Sequence, residues 1–271
     1  MKMYQKVLKI KKKTLGEEHS SVAMTYNNMG MVLGKQGKLD EAMKMYQKAL
    51  KIYKKTLGEE HSSVAMTYNN MALVLQKQGK LEEAMEMYQK LLEIYKETLG
   101  EEHRLVAVIY TNMGIVLVMQ GKLVEGMKMY QKALEIEKET LGEIHSSVAI
   151  TYNNMGSVLE KQGKLEEAMK MFQKALEIYK KTIGAEHSLV AITKKNMGVV
   201  LRKQGKLYLF RVMTTLIDQL HVTLDPIMAM APMSMYLYLL LLLIAALLIF
   251  VWPFLKYKKR LHKHCHALNT S

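Results

Sequence analysis

Apolar residues recur along this chain at spacings of three and four. From Val22 they fall at Tyr26, Met29 and Leu33, which is helical periodicity. Gly37 interrupts that run. A second one follows, in which Ala42, Tyr46 and Ala49 share a face with Leu50 and Tyr53, and Gly58 ends it. The pattern predicts two helices, over residues 20–36 and 39–57. The glycine between them enters the left-handed region without a Cβ penalty. Ser20 or Ser21 is placed to cap the first helix, its hydroxyl accepting from an orphan backbone N–H. Strand alternation is absent, and Lys, Glu, Met, Leu and Ala, all good helix formers, fill both runs.

The pair repeats. "HSSVAMTYNNM" begins at His19, returns unchanged at His61, and returns with one change at His145. Gly16, Gly58, Gly100, Gly142 and Gly184 stand 42 residues apart, and His19, His61, His103, His145 and His187 keep step with them. Self-similarity at such a period is the mark of a solenoid. The chain enters part-way through a unit and runs four full 42-residue units to about Gly184. It then begins a fifth, whose first helix is expected to end near Gly205. Residues 1–205 therefore read as one array.

After "LRKQGKL" the repeat stops. Residues 206–234 read as a linker or a degenerate repeat, with Phe210 where Ala168 stood one unit earlier. The half unit at Met1 and this abrupt end also fit a truncated or misjoined gene product. Residues 235–255, "MYLYLLLLLIAALLIFVWPFL", carry no charge over 21 positions. At about 1.5 Å per residue that spans about 30 Å, the hydrocarbon thickness of a bilayer. Tyr236, Tyr238 and Trp252 mark its ends as interfacial aromatics do. A single C-terminal transmembrane helix is expected. Residues 256–271 form a basic tail, and a span so near the C-terminus resembles a tail anchor that leaves the array in the cytoplasm.

The totals add little chemistry. The chain has 271 residues, 39 Lys plus Arg against 25 Asp plus Glu, and a net charge of +14. The charge of the array is interleaved with glutamates and forms no dense arginine stripe for base edges, so nucleic acid is not the expected partner. One cysteine, Cys265, excludes an intramolecular disulfide. The 24 methionines read as adaptable core filler. The linker histidines sit one per unit, cannot converge on a metal, and read as linker or capping residues. His262, His264, Cys265 and His266 crowd into the tail and read as polar filler. There is no phosphate-binding glycine loop, no serine nucleophile elbow and no HExxH, so neither catalysis nor a cofactor is expected.

The residues in this frame resemble the tetratricopeptide repeat. Its aromatic, large–small, large, glycine, Ala, aromatic, Ala pattern appears here as Tyr26, Met29, Gly30, Leu33, Gly37, Ala42, Tyr46 and Ala49. The next copy supplies Tyr68, Met71, Ala72, Leu75, Gly79, Ala84 and Tyr88, with Leu91 departing from the pattern. Met113 and Met155 continue the large apolar position, and Ala168 the small one on the second helix. The 42-residue form, with "NN", "QGK" and "LG-E-H", is similar to the repeats of kinesin light chain. The proline common in such linkers is Ser62 and Arg104 here, and heptads that would join a heavy chain are missing from these residues.

The resemblance implies an all-α fold, a right-handed superhelical solenoid whose first helices line an inner groove that binds a protein or peptide. Kinesin light chains bind cargo adaptors in this way. The groove frame nominates Asn27, Asn69, Thr111, Asn153 and Lys195, with Lys35, Lys77, Lys161 and Lys203 on the same face. Asparagine amides would bond an extended backbone, and lysines favour an acidic or carboxylate-bearing ligand. The alternative is that the asparagines around Asn28 satisfy neighbouring helices while the lysines form a solvated face. The reading is a non-catalytic, membrane-anchored scaffold; a soluble kinesin light chain-like adaptor is the alternative.

Overall fold

A computed structural model describes residues 1–228, and among these all regular structure is helical. The elements are α1 (Lys2–Leu15), α2 (Ser20–Lys35), α3 (Leu39–Leu57), α4 (Ser62–Lys77) and α5 (Leu81–Leu99), then α6 (Arg104–Met119), α7 (Leu123–Leu141), α8 (Ser146–Lys161), α9 (Leu165–Thr182) and α10 (Ser188–Met228). The even-numbered elements are the first helices of the repeat and the odd-numbered ones the second. The chain divides into two compact units, Met1–Val158 and Leu159–Ser271.

In the first unit, helices from α1 to α7 pack on their sequence neighbours. The nominated core residues are inside. Met29, Gly30, Ala42, Tyr46, Met71, Ala84, Tyr88 and Met113 are all buried, and so are Met155 and Ala168 further along. In the α2–α3 and α6–α7 pairs the aromatic of the second helix lies against the small residue of the first. A Cβ built on Gly30 would meet Tyr46 Cε1 at 2.6 Å, and one on Gly114 would meet Tyr130 Cε1 at 2.6 Å. Close approach of backbone to ring is what the glycine permits. Ala72 holds the corresponding position in the second unit and is buried in one core cluster with Tyr88. Burial pushes the phenol pKa of Tyr46 and Tyr88 up to about 12, so these rings stay neutral.

The linkers are built alike. The second helix ends at a glycine with φ near +90° and an extended ψ, as at Gly58 (φ 88, ψ 165), a region open essentially to glycine alone. A lysine one turn back pairs with the glutamate after the glycine: Lys12–Glu17 at 2.9 Å, Lys54–Glu59 at 3.0 Å and Lys96–Glu101 at 3.0 Å. The cap of the next helix is the histidine, not the serine nominated from sequence. His19 Nδ1 accepts from Ser21 N at 3.1 Å, and His61, His103, His145 and His187 repeat the bond. The imidazole reaches the N2 amide that a serine hydroxyl would otherwise take.

One expectation fails at the fifth unit. The first helix does not end near Gly205; α10 runs from Ser188 through it to Met228. At Gly37, Gly79, Gly121 and Gly163 the chain turns with φ of 75–80°. Each of those turns leads into a helix with an acidic residue in its first turn. After Gly205 the acids are replaced by Tyr208 and Leu209. No carboxylate favours a new N-terminus there, and a glycine inside a continuous helix costs only about 1 kcal/mol.

Among the described residues no helix is long and apolar enough to cross a membrane. The segment 235–255, expected from sequence to do so, lies outside the described residues, as do the tail 256–271 and the end of the stretch 206–234.

Candidate functional site

Within the first unit the first helices lie side by side. Asn70 Nδ2 of α4 donates to Asn27 Oδ1 of α2 at 3.2 Å, and Gln76 Nε2 of α4 approaches Met119 Sδ of α6 at 3.4 Å. Each helix buries the arc holding its Val, Tyr, Met and Leu core positions and shows solvent another. On α2 the open arc carries Met24, Met31 and Lys35, at spacings of seven and four.

Apolar side chains dominate that arc. Met24, Met66, Val108 and Ile150 occupy one repeat position and are exposed by 48%, 47%, 45% and 39%. Met31 and Leu73 form a second exposed row about two turns further along. An aligned file of exposed apolar residues on neighbouring helices is more than single surface hydrophobics, which need no explanation. The second unit carries the exposed Ile192 at the same repeat position. Sequence reasoning missed these rows because it read every methionine as core. The available signal was phase: Met24 and Met31 lie seven apart, off the stripe through Val22, Tyr26, Met29 and Leu33.

The nominated polar residues are not equivalent. Asn27 is buried at 3% exposure, and its Oδ1 is occupied by Asn70, so it clasps two first helices together. Asn69 and Asn153 are half-buried. Thr111, at the same repeat position, has a buried hydroxyl with no hydrogen-bond partner among the described residues. Lys195 is exposed. Lys35, Lys77 and Lys161 are exposed at the C-terminal ends of their helices, whereas Met119 replaces the lysine on α6. Lys203 is exposed and ion-pairs with Glu160.

Stitching along the edge completes the face. Gln78 Nε2 donates to Asp40 Oδ1 at 2.8 Å, and Gln120 Nε2 to Glu82 Oε1 at 3.4 Å, each joining the end of one first helix to the second helix of the preceding pair. The resulting surface is a rigid, mostly apolar strip with lysines at one margin and amides beneath. It can take apolar side chains and bond a backbone or carboxylate. Among the described residues no three His, Cys, Asp or Glu come together as metal ligands.

Tetratricopeptide repeat profiles match residues 63–143 and 147–207, and a second such profile matches residues 22–63. The chain belongs to the tetratricopeptide repeat family. No curated protein sequence matches it. Solved structures share the fold of this tetratricopeptide repeat chain. BtubC (BKLC) from P. vanneervenii is 21% identical, with a TM-score of 0.63 over 74% of this chain and 80% of that one. A putative kinesin light chain of Podosopora anserina, described as having nearly identical TPR-like repeats, is 21% identical with a TM-score of 0.58 over 69% of this chain and 89% of that one. A single-site variant of that protein is 18% identical, with a TM-score of 0.60 over 77% and 98%. The 42-residue repeats recognised from sequence thus share the fold of solved tetratricopeptide arrays that include a putative kinesin light chain.

Proposed function

We propose that this tetratricopeptide repeat protein is a non-catalytic, membrane-anchored scaffold that captures a protein or peptide along the open arc of its first helices. The observation that carries the reading is the file Met24, Met66, Val108 and Ile150, apolar and exposed in every unit. A face left apolar at one repeat position across four helices costs solvation for no gain in the isolated array. The lysine margin at Lys35 and Lys77 favours an acidic or carboxylate-bearing partner. Asn69, half-buried on α4, offers an amide to an extended backbone.

Support for the anchor is sequence alone. The uncharged segment 235–255 has the length and the flanking aromatics of a span, and its place near the C-terminus fits a tail anchor with the array in the cytoplasm. A soluble cargo adaptor is the alternative. The likeness of this chain's fold to the solved structure of a putative kinesin light chain is the observation that favours it.

One experiment tests both parts. The full chain, tagged at each end, is expressed beside a Met66→Glu, Val108→Glu double variant. Both are expected in carbonate-washed membranes, with protease removing only the array-side tag from intact organelles. Partner recovery should fall at least tenfold in the variant while helicity is unchanged. A carbonate-soluble chain would reject the anchor and favour the soluble adaptor. Equal partner recovery by the variant would reject the first-helix face.

A further inference from the structure

The second helices carry a feature that the partner-binding reading does not use. Lys2, Lys6, Lys9 and Lys13 lie on one stripe of α1, at spacings of four, three and four, and all four are exposed. Lys44, Lys48, Lys51 and Lys55 occupy the same repeat positions on α3 and are exposed too. Both helices pack on α2. Lys48 of the α3 stripe and Lys12, next to Lys13 of the α1 stripe, stand over one ring, 5.5 Å and 5.8 Å from the Tyr26 centroid. The two helices thus carry eight exposed stripe lysines, and of these only Lys55, with Glu18, forms an ion pair among the described residues.

The repeat does not demand this. On α5 the same positions hold Glu86, Lys90, Glu93 and Glu97, three acids and one lysine. On α7 they hold Lys128, Lys132, Glu135 and Glu139. Like charges three and four apart destabilise a helix, and opposite charges stabilise it. The near-identical units thus tolerate either sign, and the first two carry the unfavourable one throughout.

The composition of the ridge says what it meets. It holds no arginine and no exposed aromatic, so it lacks the planar forks and stacking rings suited to nucleic acid. Lysine is a mobile point charge, suited to a diffuse anionic plane. Basic residues clustered along a helix are a pattern of attachment to anionic lipid. We infer that the α1–α3 lysine ridge lays the N-terminal repeats on the anionic headgroups of a bilayer. The inference rests on the membrane reading above for the choice of lipid as the anion, and it is read independently of the 235–255 segment.

The test uses the full chain with vesicles of phosphatidylcholine, alone or mixed with phosphatidylserine. Lysine accessibility is followed by amine acylation and mass spectrometry. Carbonate retention on the neutral vesicles reports the apolar segment; lysine protection reports the ridge. With phosphatidylserine, acylation of Lys6, Lys9, Lys48 and Lys51 should slow several-fold, and high salt should restore it. Lys128 and Lys132, at two of the same positions on α7, should be unaffected. A Lys6→Glu, Lys48→Glu variant with unchanged circular dichroism should lose protection at Lys9 and Lys51. Equal acylation on both vesicles would overturn the inference, as would equal slowing at every lysine. Protection by soluble polyglutamate but not by phosphatidylserine would also overturn it, and would assign the ridge to an acidic protein.

Discussion

Glu137 breaks the core pattern of the second helices. Tyr53, Tyr95 and Tyr179 occupy its repeat position, yet Glu137 is only 4% exposed. Burial raises its pKa above the ordinary 4.5, and the Thr151 hydroxyl, donating at 2.8 Å, opposes that only in part. A raised carboxyl contributes its stability below the unfolded value of 4.5, and that contribution is lost as pH rises through the folded pKa. Glu137→Gln should therefore weaken the fall in stability from acid toward neutral pH, measured by urea melts across that range. Glu137→Tyr should raise stability at neutral pH by about 1–2 kcal/mol. Tyr88 offers a second check. Its hydroxyl is buried without a partner among the described residues, and Phe172 fills the same position in the fourth unit. Tyr88→Phe should be neutral or stabilising by about 1 kcal/mol in the same melts, since an unpaired buried hydroxyl costs on that order. A loss of stability would mean that the hydroxyl has a water partner.

At the scale of the element, the linker histidine decides where each first helix begins. Its Nδ1 accepts from the amide two residues on, so the ring must present a bare nitrogen there. His61→Ala should cost about 1 kcal/mol, and His61→Asn should recover most of that loss, as read by thermal melts. The helices themselves were legible in the sequence. The 42-residue period marks them, and spacings of three and four place Val22, Tyr26, Met29 and Leu33 inside. Two things were not legible. One was the continuation of α10 past Gly205, because glycine permits a turn without requiring one. Acids at the start of the next helix accompany it at Gly37, and Tyr208 and Leu209 stand in their place here. The other was the division of the methionines. Met29 and Met31 are alike as residues; only the neighbouring helices determine that one is covered and the other exposed.

Across the molecule, one repeated frame supports different surfaces. The core positions scarcely change from unit to unit. The open arc of the first helices stays apolar, while the ridge of the second helices passes from all-lysine on α1 and α3 to mostly acidic on α5. In a solenoid each unit is stabilised by its neighbours, so outward positions are free to vary without loss of the fold. The binding face was legible only coarsely in the sequence. The frame located the first helices, but Asn27 proves to be a clasp inside the stack, and its partner Asn70 is seen only once α2 and α4 are side by side. The central claim is that a partner lies on the open arc of the first helices. Its most direct measurement is site-specific photo-cross-linking in intact membranes, with benzoylphenylalanine placed at Met66 on that arc or at Glu93 on the ridge of α5. The account predicts a discrete protein adduct from position 66 and none from position 93. Adducts from position 93 with none from position 66 would contradict it.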